Sequence, residues 1–175
     1  MLKKFNLFNL VLLFILIINN AEAQDKIAFV DVNYILNNSA AGKNINKMID
    51  DKTKKINSEF DSLKKKIENE KKILINQKNV ISKEEYQKKL AQLEKNINEY
   101  NKIISQNNND LLKFKNLAKV QFSNKLIPIL EEYSKNNSIG MIIRKENLLI
   151  GKNSLDVTKG ILDMFNDKVK KIVIK

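Results

Sequence analysis

The chain has 175 residues, with one proline, four glycines, a single arginine at Arg144, no cysteine, histidine or tryptophan, and a formal net charge of +12. Without cysteine, neither disulfides nor thiolate metal sites can hold the fold; without histidine, the usual general base near neutral pH and the commonest metal ligand are both missing. The charge implies attraction to acidic partners, whether nucleic acid, anionic lipid or acidic protein, and does not choose among them.

The first residues suggest a compartment. Met1-Leu2-Lys3-Lys4 is a short basic start, Val11–Ile18 with Leu7 and Phe8 is a compact apolar run, and Ala21-Glu22-Ala23 is a small-x-small cleavage site. The apolar run is well short of the roughly 20 residues that span a bilayer. Residues 1–23 are therefore expected to be a signal peptide cleaved between Ala23 and Gln24, with periplasmic localisation. Losing Lys3, Lys4 and Glu22 takes the charge only from +12 to +11. Export also removes genomic nucleic acid from the expected partners.

Asp25–Asp31 reads as a strand, with Ile27, Phe29 and Val30 as its β-formers. Asn33–Asn38 reads as a single helical turn or a loop. Ser39 then offers an N-cap, and a long helix begins near Ala41. Its apolar residues Ile45, Met48, Ile49, Ile56, Phe60, Leu63, Ile67 and Leu74 recur at steps of three and four, interrupted by Lys52 and by Glu70 or Lys71. Asn79–Glu85 is a turn, in which Ser82 and Glu85 form the S-x-x-E pattern that starts a second helix. That helix carries a heptad seam of Tyr86, Leu90, Leu93, Ile97, Tyr100, Ile104, Asn107, Leu111, Phe114 and Ala118. Near Gln121 the seam slips to Phe122, Leu126, Ile129 and Leu130, and Pro128 is expected to kink the backbone. Two such helices joined by a short turn form an antiparallel hairpin, an arm of roughly 60 Å at about 1.5 Å per residue.

Beyond Asn137 the pattern changes. Ile139–Arg144 and Asn147–Ile150 read as strands with a turn at Lys145-Glu146, and Gly151–Asp156 as a loop. Asp156 or Ser154 caps a last helix carrying Val157, Ile161, Leu162, Met164, Phe165 and Val169. Ile172–Ile174 reads as frayed helix or short strand. The expected fold is thus mainly α, with a small β body built from residues 24–40 and 138–175 and a helical-hairpin arm over 41–137. Some fifty residues make a body that is marginal alone, and unpaired strand edges invite another copy. Ile27, Phe29, Val30, Ile139, Met141 and Ile143 are the candidate self-association residues.

No Gly-rich phosphate loop, H-E-x-x-H or G-x-S-x-G is present, and the adjacent carboxylates Asp50-Asp51 and Glu84-Glu85 do not converge on one substrate. The expectation is no enzyme, no catalytic or metal residues and no cofactor. Lys64-Lys65-Lys66, Lys71-Lys72 and Lys88-Lys89 are the main basic clusters, suited to loose, salt-sensitive capture of acidic polypeptides.

Lys26–Val32 with Ile35-Leu36 and Ser39–Lys43 resembles the opening of mature Skp/OmpH family periplasmic chaperones. Ile139–Ile143, Leu149–Gly151, Ser154–Thr158 and Ile161 are similar to that family's closing segment. The resemblance implies a homotrimer whose helical hairpins enclose a cavity and hold unfolded outer-membrane proteins without ATP. The arm offers no position-by-position match, so no lipopolysaccharide-contact residue is carried over, although anionic lipid or lipopolysaccharide remains a partner class the charge admits. Two other functions fit the same residues: a structural coiled-coil spacer of the cell envelope, or a peripheral protein on anionic lipid.

Overall fold

The computed structural model describes residues 26–174; the expected leader and its cleavage site lie outside the described residues. The elements are β1 (Lys26–Val30), α1 (Val32–Asn38), α2 (Ala40–Gln77), α3 (Lys83–Asn136), β2 (Ile139–Arg144) and α4 (Thr158–Lys168), with 3-10 turns at Lys145–Asn147 and Asn153–Leu155. The chain is mainly α, with one small sheet and one long antiparallel hairpin.

The helix boundaries follow from their caps. Asp31 Oδ1 accepts from the Tyr34 N–H at 2.8 Å and starts α1. Ser39 serves two helices at once. Its N–H donates to Ile35 O and closes α1, while its Oγ accepts from the Gly42 N–H at 3.0 Å and opens α2. Ser82 Oγ accepts from the Glu85 N–H at 3.2 Å, which starts α3 where the capping pattern placed it. Asp156, not Ser154, serves α4: its Oδ1 accepts from the Thr158 N–H at 2.9 Å. The segment at Asn33–Asn38, open between a turn and a loop, is two turns of helix.

The two strands pair in parallel, with Ile27 against Met141, Ala28 against Ile142, Phe29 against Ile143 and Val30 against Arg144. Side chains alternate across a sheet. Ala28, Val30 and Ile142 therefore share one face, where Val30 lies in the main core and Ile142 packs on it. Ile27, Phe29, Met141 and Ile143 share the other. On the far side of β1, the Val157 N–H donates to Phe29 O at 3.0 Å and Asp156 bridges to Phe29, so β1 is held from both edges.

The core gathers where the hairpin meets the sheet. Val30, Ile35, Ala41, Ile45, Ala118, Phe122, Leu126, Ile129, Ile161, Phe165, Val169 and Ile172 form one buried cluster. The slipped seam of α3 belongs to it, and Phe122 meets Phe165 at 5.2 Å between ring centroids with a 55° tilt. Helix α3 is continuous through Pro128.

One predicted strand is absent from the described residues. Asn147–Ile150 is not a strand: Lys145–Asn147 is a 3-10 turn and Leu148–Ile150 continues as irregular chain. The apolar triplet has β-forming side chains, but a strand exists only by pairing, and after the 3-10 turn the chain does not fold back along β2: it passes over the Phe29 ring at Gly151 and reaches the far edge of β1 at Asp156. Ile172–Ile174 is neither helix nor strand; it buries Ile172 in the core as irregular chain.

Candidate functional site

The arm is where the two long helices run against each other without other support. Ile56, Leu74 and Leu93 are buried along it, and Phe60, Leu63, Ile67, Ile97, Tyr100, Ile104, Asn107, Leu111 and Phe114 are half-buried. A two-helix seam covers only one side of each apolar residue, so partial exposure is its natural state. Shallow grooves open between the helices. One of about 260 Å³ is floored by Ile73, Leu74 and Leu93 and rimmed by Glu70, Gln77, Lys89, Gln92 and Asn96. Another of about 170 Å³ lies between Leu63, Ile67, Tyr100 and Ile103.

The polar residues that interrupt the seam reach across it. Lys52 Nζ sits 5.4 Å from the Phe114 ring centroid. Asn96 Nδ2 donates to Glu70 Oε2 at 2.7 Å, and Lys89 Nζ donates to Gln77 Oε1 at 2.7 Å. Sequence periodicity shows where these interruptions fall but not their partners, because the register depends on the turn.

Among the predicted basic clusters, Lys64, Lys65, Lys66, Lys71, Lys72 and Lys88 are exposed, and among the described residues none of the six is ion-paired. Lys89 differs. It is half-buried, bonded to Gln77 and 3.5 Å from Glu85, so its charge is committed within the arm. The helix supplies the reason, since Lys89 lies four positions before buried Leu93 on the same face and four after Glu85. Near the base, Lys47 donates to Asp51 at 2.7 Å, which holds its ammonium pKa above the ordinary lysine value.

The six predicted self-association residues divide between the two sheet faces. Val30 is buried in the chain's own core. Phe29 is covered too; a Cβ on Gly151 would lie 2.9 Å from its ring, so the chain passes tightly over it. Ile27 and Met141, paired in register, are 53% and 54% exposed, and Ile139 and Ile143 are half-buried beside them. Sequence reasoning missed Leu149 and Ile150 as surface residues; both are almost wholly exposed. The apolar run Leu148–Ile150 followed by Gly151 was the available signal. It also missed Ile75 and Val80, exposed beside the turn among Lys71, Lys72, Lys78 and Lys83.

Among the described residues no cluster of acidic side chains could hold a metal, and no helix is long and apolar enough to cross a membrane. Comparison with known proteins adds three findings. No curated protein matches the chain. A crystal structure of a candidate outer membrane chaperone (OmpH-like) from Caulobacter crescentus CB15 superposes with a TM-score of 0.78 at 14% identity, covering 86% of this chain and 89% of that one. The family model for outer membrane protein (OmpH-like) matches residues 26–165. That stretch takes in both strands and the whole hairpin, and the chain belongs to the Skp/OmpH family.

Proposed function

We propose that this protein is a periplasmic, ATP-independent holdase that binds unfolded outer-membrane proteins between the basic arms of a homotrimer, without catalysis or cofactor. The observation that carries the reading is the coexistence, along one arm, of six unpaired lysines with a seam that leaves its apolar residues half-exposed. An unfolded chain meets there long-range attraction and weak apolar contact without a fixed site. Self-association is supported by Ile27, Met141 and Ile143 on the second sheet face, by Ile139 at the start of β2, and by exposed Leu149 and Ile150 on the chain leading to Gly151, which lies against Phe29. Within this reading residues 24–40 and 138–175 form the assembling body and 41–137 the arm.

Mixing the protein with denatured porin tests it. Suppressed aggregation is expected, and porin that aggregates as it does in buffer would end the holdase reading. Replacing Lys64, Lys65, Lys66, Lys71 and Lys72 by glutamine should weaken capture about tenfold at low salt and much less at high salt, since screening removes the same attraction. Equal affinity of variant and parent at low salt would remove the electrostatic part.

A second reading has its own observation. Ile75 and Val80 stand exposed among lysines at the turn, which is the chemistry of an anionic-lipid contact. Cosedimentation with anionic vesicles in the absence of any client, lost on Val80→Asp, would favour it.

A further inference from the structure

The seam of the hairpin changes character along its length. At its base, Ile45, Ala118, Phe122 and Leu126 belong to the buried core. Outward from Ile56 and Ala118, Leu74 and Leu93 are the buried apolar residues, and two grooves separate the helices. Polar side chains replace apolar ones at the crossing points Glu70–Asn96 and Gln77–Lys89.

These crossings share one geometric property. Glu70 and Asn96, Gln77 and Lys89, and Lys52 and Phe114 are each equidistant in sequence from residue 83. One uninterrupted register therefore runs from near the base to the tip. A one-heptad slip that lengthened the turn would set Glu70 against Ile103 and Lys52 against Gln121, stranding a carboxylate and losing the cation–π contact. Polar pairs at a seam specify register and cost stability relative to packed apolar residues. Low apolar burial and solvent-accessible grooves mark a segment that opens below the global unfolding free energy.

We propose that the outer half of the arm, about residues 57–112, opens as a unit separate from its base, with Glu70–Asn96 and Gln77–Lys89 returning it to one register. Opening presents Leu63, Ile67, Leu74, Leu93 and Tyr100 to a bound chain; this last consequence alone rests on the holdase reading.

Hydrogen exchange of the full chain without client tests the opening. Amides in 57–112 should exchange together, at least about tenfold faster than those in 118–133. Equal protection of the two regions would overturn the proposal. The variant Glu70→Leu/Asn96→Leu should slow exchange of the outer half by about tenfold; unchanged or faster exchange would show that the polar crossings do not set its weakness. If that variant does not fold, the exchange pattern of the parent chain decides the matter alone. Porin capture by the same variant should fall as its opening slows. Slowed exchange with undiminished capture would overturn the part given to client contact, whereas failure of the parent to capture porin would overturn the holdase reading and leave the exchange result standing.

Discussion

Gly42 sits in the first turn of α2, buried, where that helix crosses the end of α1. A Cβ at this position would lie 1.8 Å from the Leu36 carbonyl oxygen and 2.6 Å from its carbon. Both are backbone atoms, so no rotamer change relieves the clash, and the two helices must part by more than an ångström. The joint has no slack, because Ser39 alone links them and is hydrogen-bonded into both. Alanine normally gains about 1 kcal/mol over glycine inside a helix. Overpacking of a tight core costs up to about 3 kcal/mol, leaving Gly42→Ala a net loss of about 2 kcal/mol. For a chain of this length that lowers Tm by roughly 6 °C, read by circular dichroism at matched protein concentration, so that any self-association weighs equally on both proteins. Gly160→Ala is the control. Its Cβ would meet the Tyr133 hydroxyl at 2.5 Å and ring carbons slightly farther, but a half-buried tyrosine can turn aside, so its Tm should stay within about 2 °C of the parent. A Gly42→Ala protein that melts at or above the parent would refute the reasoning.

Ser39→Ala removes a fully buried cap and should cost about 1–2 kcal/mol, seen as a lower urea midpoint with unchanged slope; a loss below about 0.5 kcal/mol would show that the hydroxyl is not needed there. Leu149→Asp/Ile150→Asp alters side chains that touch almost nothing in their own chain. It should leave helical content unchanged while shifting sedimentation toward smaller species, and an unaltered sedimentation profile would remove these residues from the proposed interface.

Much of the fold was legible because its signals are local. Ser39 and Ser82 announced their helices through side-chain chemistry that acts within three residues, and the seam of α3 expected from Tyr86 to Ala118 faces its partner from Leu93 to Ala118, whereas Leu90 near the tip is exposed. What was not legible depends on distant chain. Ile27-Ala28-Phe29-Val30 is apolar at every position, so alternation cannot say which face of β1 meets the core. Only the pairing with β2 and the cover over Phe29 assign Val30 inward and leave Ile27 out. Lys89 looked like one more charge of a solvated cluster, yet the hairpin's register brings Gln77 opposite it. Leu148–Ile150 had the composition of a strand, but the chain there leads over the Phe29 ring at Gly151 to the far edge of β1 at Asp156 instead of folding back along β2.

The parallel pairing of β1 and β2 explains the unequal helices. Parallel neighbours require the chain to return to the end where the first strand began, so the whole hairpin is a crossover connection. Counting from the crossings centred on residue 83, Ala40 at the start of α2 faces Leu126. Helix α3 therefore overruns its partner by the ten residues from Ile127 to Asn136. At about 1.5 Å per residue this is about 15 Å, close to the roughly 17 Å of a five-residue strand. The overrun brings the chain back beside Lys26, where Ile139 opens β2 and a one-residue shift at Gly140 precedes the regular pairing from Met141 onward. Pro128 lies just where α3 leaves α2, and its missing N–H frees the Asn124 carbonyl at that departure. Residues added or lost equally on both sides of the turn preserve this closure, whereas a change in one helix alone moves β2 along β1. The arm is thus free in length but fixed in the difference between its two helices, and that difference is set by the strand it must carry the chain past.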